Sequence, residues 1–105
     1  MKLKAQGQNF LDAATIVSGA VPSAPARPIL ANIRLEADEA GVRLLATDLE
    51  IGICQTVDDV TVETPGTVLL PAARLLGILR ECRTTELTFE REEQRVHIGA
   101  GASRF

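Results

Sequence analysis

Asp48 and Glu50 stand two apart in the run Thr47-Asp48-Leu49-Glu50 and are the carboxylate pair best placed for metal binding or acid–base work. An Asp at a tight change of direction usually spends its oxygen on backbone amides, so the pair is read as a turn cap rather than a catalytic dyad. The one histidine, His97, leaves no Ser-His-Asp or Cys-His arrangement to assemble. Gly99-Ala100-Gly101 opens no helix that would cradle a phosphate. His97 is expected on a strand, at the surface or the edge of the core. Cys54 and Cys82 lie far apart and outside any C-x-x-C spacing. Each falls within an apolar pattern, which predicts two buried free thiols in a reducing compartment. The expectation is a protein without catalytic residues, metal or cofactor.

The elements that position these residues follow from periodicity. Lys2 to Gln6 alternates as a short strand that Gly7 ends, and from Asn9, as N-cap, Phe10, Leu11, Ala14 and Val17 recur at helical spacing up to Gly19. Pro22, Pro25 and Pro28 enforce a loop. Ile29 to Ala37 alternates as a strand, Asp38 to Gly41 turns, Val42 to Thr47 returns, and Ile51 to Val57 continues as a third strand interrupted by Gly52. After an acidic connection from Asp58 to Glu63 and a Pro65-Gly66 turn, the pattern begins again. Thr67 to Leu70 reads as a strand, and Pro71 opens a helix carrying Leu75, Leu76, Leu79 and Cys82 on one side. Glu86 to Glu90, Arg95 to Ile98 and Ser103 to Phe105 read as three strands. The order is strand, helix, three strands, twice over. Such a duplication predicts an α+β fold of two copies about a pseudo-symmetric core, with two helices side by side on antiparallel sheet.

Composition bounds the class. The 105 residues, 46% hydrophobic and 24% charged, suit one globular domain able to bury a modest core without staples. Eleven basic against fourteen acidic side chains give a net charge of -3, so the molecule lacks the overall basic field of a nucleic-acid-coating protein. Any such role rests on local charge. The start Met1-Lys2-Leu3-Lys4 loosely resembles a signal peptide, but Gln6, Gln8, Asn9 and Asp12 interrupt the apolar region it would need. No apolar run reaches membrane-spanning length, and a cytoplasmic location with no membrane partner is expected.

Four stretches carry a family resemblance: Arg27-Pro28-Ile29-Leu30-Ala31-Asn32-Ile33, Thr47-Asp48-Leu49-Glu50, Leu70-Pro71-Ala72 and the closing Ser103-Arg104-Phe105. In this order and spacing, across essentially all 105 residues, the chain resembles the N-terminal domain of the bacterial sliding clamps, the DNA polymerase III beta subunits. The resemblance implies the DNA-clamp fold, a duplicated strand-helix-three-strand unit. It also implies a ring of two three-domain protomers whose helices line a channel around duplex DNA. The activity implied is non-enzymatic: a processivity factor in DNA replication that tethers DNA polymerase III. Partners would be duplex DNA, bound without sequence preference, a second protomer, and the polymerase and clamp loader, which dock in a cleft between later domains. Residues 1–105 are then one domain, read as a fragment of a longer chain because a chain stopping at Phe105 would leave an open strand edge. The alternative weighed is an isolated clamp-like domain that self-associates or binds protein without ring function; a small enzyme is a distant third.

A ring stays on DNA by topology, so its lining needs only weak phosphate contacts. Residues 36–63 hold eight acids against Arg43, a net -7, whereas residues 71–85 hold Arg74, Arg80 and Arg83 against Glu81, a net +2. Those three arginines, with Arg27 in the proline-rich loop, are the DNA candidates, since a guanidinium bridges phosphate oxygens bidentately. Arg74 and Arg80, six apart on a helix, need not reach the same phosphate strand. The arginines that clamps commonly point at DNA would fall here at Ala24 and Ala73, with Arg27 and Arg74 as the nearby replacements. The resemblance also assigns Arg74, Ile78, Arg104 and Phe105 to the interface between protomers, with Phe105 as the buried aromatic anchor. Arg74 is assigned first to the interface.

Overall fold

The computed structural model describes residues 1–22 and 27–100, together with the backbone alone of Ser103 and Arg104. The elements run β1 (Lys2–Gln6), α1 (Gly7–Ser18), a short 3-10 helix (Pro28–Ala31), β2 (Asn32–Asp38), β3 (Gly41–Thr47) and β4 (Gly52–Val57). They continue through β5 (Thr61–Thr64), β6 (Gly66–Pro71), α2 (Ala72–Glu81), β7 (Glu86–Glu92), β8 (Arg95–Ala100) and β9 (Ser103–Arg104). The fold is α+β, built of two antiparallel sheets and two helices.

The duplication is present, and its two halves exchange strands. One sheet has the order β4-β3-β2-β6 and the other β5-β1-β7-β8-β9. The three-strand meander β2-β3-β4 of the first half takes its fourth strand, β6, from the second half. The meander β7-β8-β9 takes β1 from the first half. Register follows the predicted alternation: Ile33 faces Leu70 and Leu35 faces both Val68 and Leu44, all of them turned into the core. The apolar face of α1 closes over β3 and β4 and lies beside α2, as the side-by-side expectation required.

Phe10 of α1 and Phe89 of β7, both with 0% exposure, stack with centroids 4.5 Å apart and planes 18° off parallel, which locks a helix of one half onto a strand of the other. No polar or charged residue is buried among the described residues, so the core makes no demand for internal ion pairs.

Several local expectations are corrected. Gly7 opens α1 instead of merely closing β1. Its N–H donates to the Thr85 carbonyl at 3.0 Å, and a Cβ there would collide with the Cys82 carbonyl oxygen, so only glycine lets the chain pass under the turn after α2. Asn9 caps nothing; it lies inside α1, and its Nδ2 reaches the Asp58 carbonyl and Asp59 Oδ2. Ile29 belongs to the 3-10 helix, and β2 begins at Asn32, whose Nδ2 donates to the Ile29 carbonyl at 3.2 Å. Proline at the first position of that helix overrides the period-two pattern, leaving Ile29 exposed. The acidic connection contains β5, which pairs with β1 while Glu63 lies within salt-bridge distance of Lys2 and Lys4. Pro71 ends β6 and caps α2 rather than standing in its first turn. Cys82 is buried as expected, but Cys54 is exposed, because β4 turns it to the outer face of its sheet.

Candidate functional site

The Thr47–Ile51 turn joins β3 to β4 and spends its polar groups on itself. Asp48 Oδ1 accepts the N–H groups of Ile51 at 2.8 Å and Glu50 at 2.9 Å, which hold its carboxyl below the usual carboxylate range. Thr47 Oγ1 donates to the Ile51 carbonyl and accepts the Leu49 N–H. Leu49 sits at φ 80°, in the left-handed region. The Asp48 carboxylate therefore caps the turn, as expected, and Glu50 takes part only through its backbone N–H. Among the described residues, no cluster of three His, Cys, Asp or Glu side chains is disposed to hold a metal ion.

The acidic stretch is also partly neutralised where it lies in sheet. Arg43 grips Asp38 at 2.7 Å, an Ala40 N–H joins it, and together these hold the Asp38 carboxyl low. Glu36 is held by Arg34 at 2.9 Å and Arg43 at 3.6 Å. Of the eight acids in residues 36–63, at least Glu36, Asp38 and Glu63 thus have cationic partners.

The second helix sorts its arginines. Leu75, Leu79 and Ala72 face the core, and Arg74 and Ile78 flank them on the side toward β8. There they line an open groove of about 560 Å³ whose other walls are the end of β6 (Leu69 to Pro71) and the β7–β8 hairpin from Gln94 to Ile98. Its floor is apolar, through Leu75, Ile78, Val96 and Ile98, and its charges are Arg74 and Arg95. No carboxylate lines it among the described residues. Arg80 stands about 120° around the helix from Arg74 and does not reach the groove. Arg83 lies beyond the end of α2, a correction to its placing on the helix face, and Arg27 precedes the 3-10 helix; both are exposed.

Of the four DNA candidates, only Arg74 lines this groove. Arg74 joins Ile78, the partner assigned with it to the interface, while Arg27, Arg80 and Arg83 stand apart from that groove. Arg104 follows β8 on β9, which pairs with Gly99 and Ala100. Phe105 and Ala24 lie outside the described residues, and Ala73 is exposed on α2. Sequence reasoning missed Arg95, Val96 and the end of β6 as groove residues, since nothing in the order of strands says that β6, β8 and α2 line one groove. His97, placed at the core edge as expected, is a groove residue too; its side chain is 30% exposed and its Nε2 stands 3.3 Å from Glu92 Oε2.

Comparison with known proteins places this architecture. The chain matches the profile of the DNA polymerase III beta subunit, N-terminal domain, over residues 1–105. It is 35% identical to the beta sliding clamp of Synechococcus elongatus and 30% identical to that of Escherichia coli K12, covering all of this chain and 28% and 29% of those proteins. Among solved structures, the sliding clamp of Bacillus subtilis superposes with a TM-score of 0.94 at 27% identity, over the whole of this chain and 30% of that one. Caulobacter crescentus pol III beta superposes at 0.91 with 31% identity, over the whole chain and 28% of that one. The exchanged two-sheet fold with paired helices is thus that of a sliding-clamp domain. The chain belongs to the DNA polymerase III beta subunit family and corresponds to its N-terminal domain. It spans under a third of the length of these four relatives. No helix among the described residues is long and apolar enough to cross a membrane.

Proposed function

We propose that this domain is the first of three in a clamp protomer, and that two protomers close a ring that encircles duplex DNA, tethers DNA polymerase III in the bacterial cytoplasm and catalyses nothing itself. The observation that carries the reading is the match of fold and sequence over the whole chain to sliding clamps. Holding DNA by enclosure suits a protein of net charge -3, because the grip then requires no strong phosphate contacts. In this reading Arg27, Arg80 and Arg83 supply weak, sequence-independent contacts to phosphate. Polymerase and clamp loader bind elsewhere on the protomer.

The groove between α2 and β8 is the seat of the other protomer. Arg74 and Ile78 line it, and Arg104 and Phe105 follow on the chain leaving β8. Two guanidinium groups over an apolar floor, without a carboxylate among the described lining residues, complement an acidic and apolar surface.

Retention of the ring-forming protein on nicked circular DNA tests both parts. Arg80→Ala with Arg83→Ala should leave the ring dimeric and lower the salt dependence of DNA association, by about 0.9 in the log–log slope for each phosphate no longer neutralised. Arg74→Ala with Ile78→Ala should instead raise the dimer dissociation constant, read by sedimentation equilibrium. A dimer indifferent to the second pair would overturn the interface assignment.

A further inference from the structure

Among the described residues the two sheets end on four strands, and three of these edges are short or blunted. β5 has four residues and holds Glu63 within salt-bridge distance of Lys2 and Lys4. β6 ends at Pro71, and Arg91 Nη1 donates to its Thr67 carbonyl at 3.3 Å. β9 has two residues. The fourth edge, β4, is six residues long with neither a proline nor a charged side chain, and so stands open to another strand. Beside it lies an apolar groove of about 460 Å³ lined by Ile29, Leu30, Leu45, Cys54 and Leu69, of which Ile29 and Leu69 are exposed. Arg34, the one charged lining residue among those described, is held by Glu36 at 2.9 Å. Glu50 precedes β4 and Asp58 and Asp59 follow it; all three are exposed, and none has a cationic partner among the described residues.

We propose that the β4 edge of one copy of this chain seats the α2–β8 groove and β9 edge of a second copy, so that copies associate head to tail. The inference rests on the α2–β8 groove being an interface. Both surfaces belong to this chain, and their charges match. The α2–β8 groove sets Arg74 and Arg95 over an apolar floor, and its β8 wall runs on into the residues that pair with β9. The β4 edge offers an apolar groove bracketed by the carboxylates of Glu50, Asp58 and Asp59. Its unpaired backbone groups supply hydrogen bonds to an incoming strand. Like edges fit worse. Two β4 strands set antiparallel about Cys54 bring Glu50 of each copy opposite Asp58 of the other, and two α2–β8 grooves bring arginine against arginine. A contact between unlike sides is heterologous, so it leaves one free side on each end of a pair and repeats from copy to copy.

Sedimentation of the 105-residue chain over a range of concentrations tests the proposal. The weight-average mass should rise past that of a dimer. Reversing either side, by Glu50→Lys with Asp58→Lys or by Arg74→Glu with Arg95→Glu, should weaken association by about tenfold or more. Cys54→Lys, which places a charge in the middle of the open edge, should act as the first pair does, and circular dichroism checks that each variant is folded. Mixed one to one, the two charge-reversed pairs should recover association, because each offers the side that the other lacks. A wild type that stays monomeric, or an association that persists in either reversed pair, overturns the proposal. The Arg74→Ala with Ile78→Ala measurement on the ring-forming protein separates the two levels of inference. If that dimer is indifferent, the groove reading itself fails; if it weakens while the 105-residue chain stays monomeric, only the head-to-tail association fails.

Discussion

Thr47 and Asp48 hold the β3–β4 turn from both sides, so its stability depends on the charge of one exposed carboxylate. Because the native contacts hold Asp48 low, its contribution is fully present above the ordinary carboxylate range and is lost as the pH falls through its native value. Asp48→Ala should therefore lower the melting temperature at pH 7, and the gap between variant and wild type should close toward pH 3. Thermal unfolding followed by circular dichroism at the two pH values checks this; a gap that persists unchanged at pH 3 would show that the carboxylate is not what matters. Leu49 next to it occupies φ 80° with 63% of its surface exposed, a conformation costing a non-glycine residue about 1–2 kcal/mol. Leu49→Gly is expected to be neutral or stabilising by up to about 1 kcal/mol, once glycine's own entropic cost is set against the strain. Chemical denaturation with unchanged m-value measures it. The carboxylate cap was legible in the sequence because Asp in a tight turn acts over two or three residues. The strain at Leu49 was not, since a leucine in a turn gives no local sign of a positive φ.

The elements show where local rules lose to packing. The second helix and the first two meander strands followed their apolar periods, which local chemistry sets. Ile29 alternates perfectly with Ala31 and Ile33, yet Pro28 at the first position turns that segment into a 3-10 helix and exposes the isoleucine. The strand β5 was hidden because its outward threonines and glutamate look like a loop; it exists because β1 offers it an edge. Gly7 is the tightest junction between the halves. Gly7→Ala should destabilise by at least the 1–3 kcal/mol typical of overpacking, since backbone rather than a flexible side chain stands in the way. Phe10→Ala should cost about 3–5 kcal/mol by removing one ring of the stacked pair from a site without exposure. Urea unfolding reads both, and a Phe10→Ala loss below about 1 kcal/mol would mean that the stack is not a central part of the core.

For the whole molecule, the charge map read along the chain differs from the charge map in space. The acidic run is partly paired with Arg34, Arg43, Lys2 and Lys4, and the basic run divides between a groove and exposed positions outside it. Raising salt should therefore weaken DNA association by the ring-forming protein through Arg27, Arg80 and Arg83, while affecting the dimer chiefly through Arg74 and Arg95. An Arg95→Ala variant gives the corresponding expectation: a weaker dimer, by sedimentation, with DNA salt dependence unchanged. If Arg95→Ala changed the DNA slope and not the dimer, the division of the two surfaces would be wrong.

By itself the sequence determined the element order apart from the 3-10 helix and β5, its duplication, the buried faces of the helices and of β2 and β3, and the family motifs, because periodicity, prolines and turn residues act over a few positions. Only the tertiary structure decided that each sheet borrows a strand from the other half, that Cys54 faces out, and that Arg74 of α2 and Arg95 of β8 line one groove. Those outcomes depend on which edges pair over long separations, as β1 does with β7 and β2 with β6, and on which face of a strand the resulting core then covers. Residue type and spacing along the chain do not record either choice.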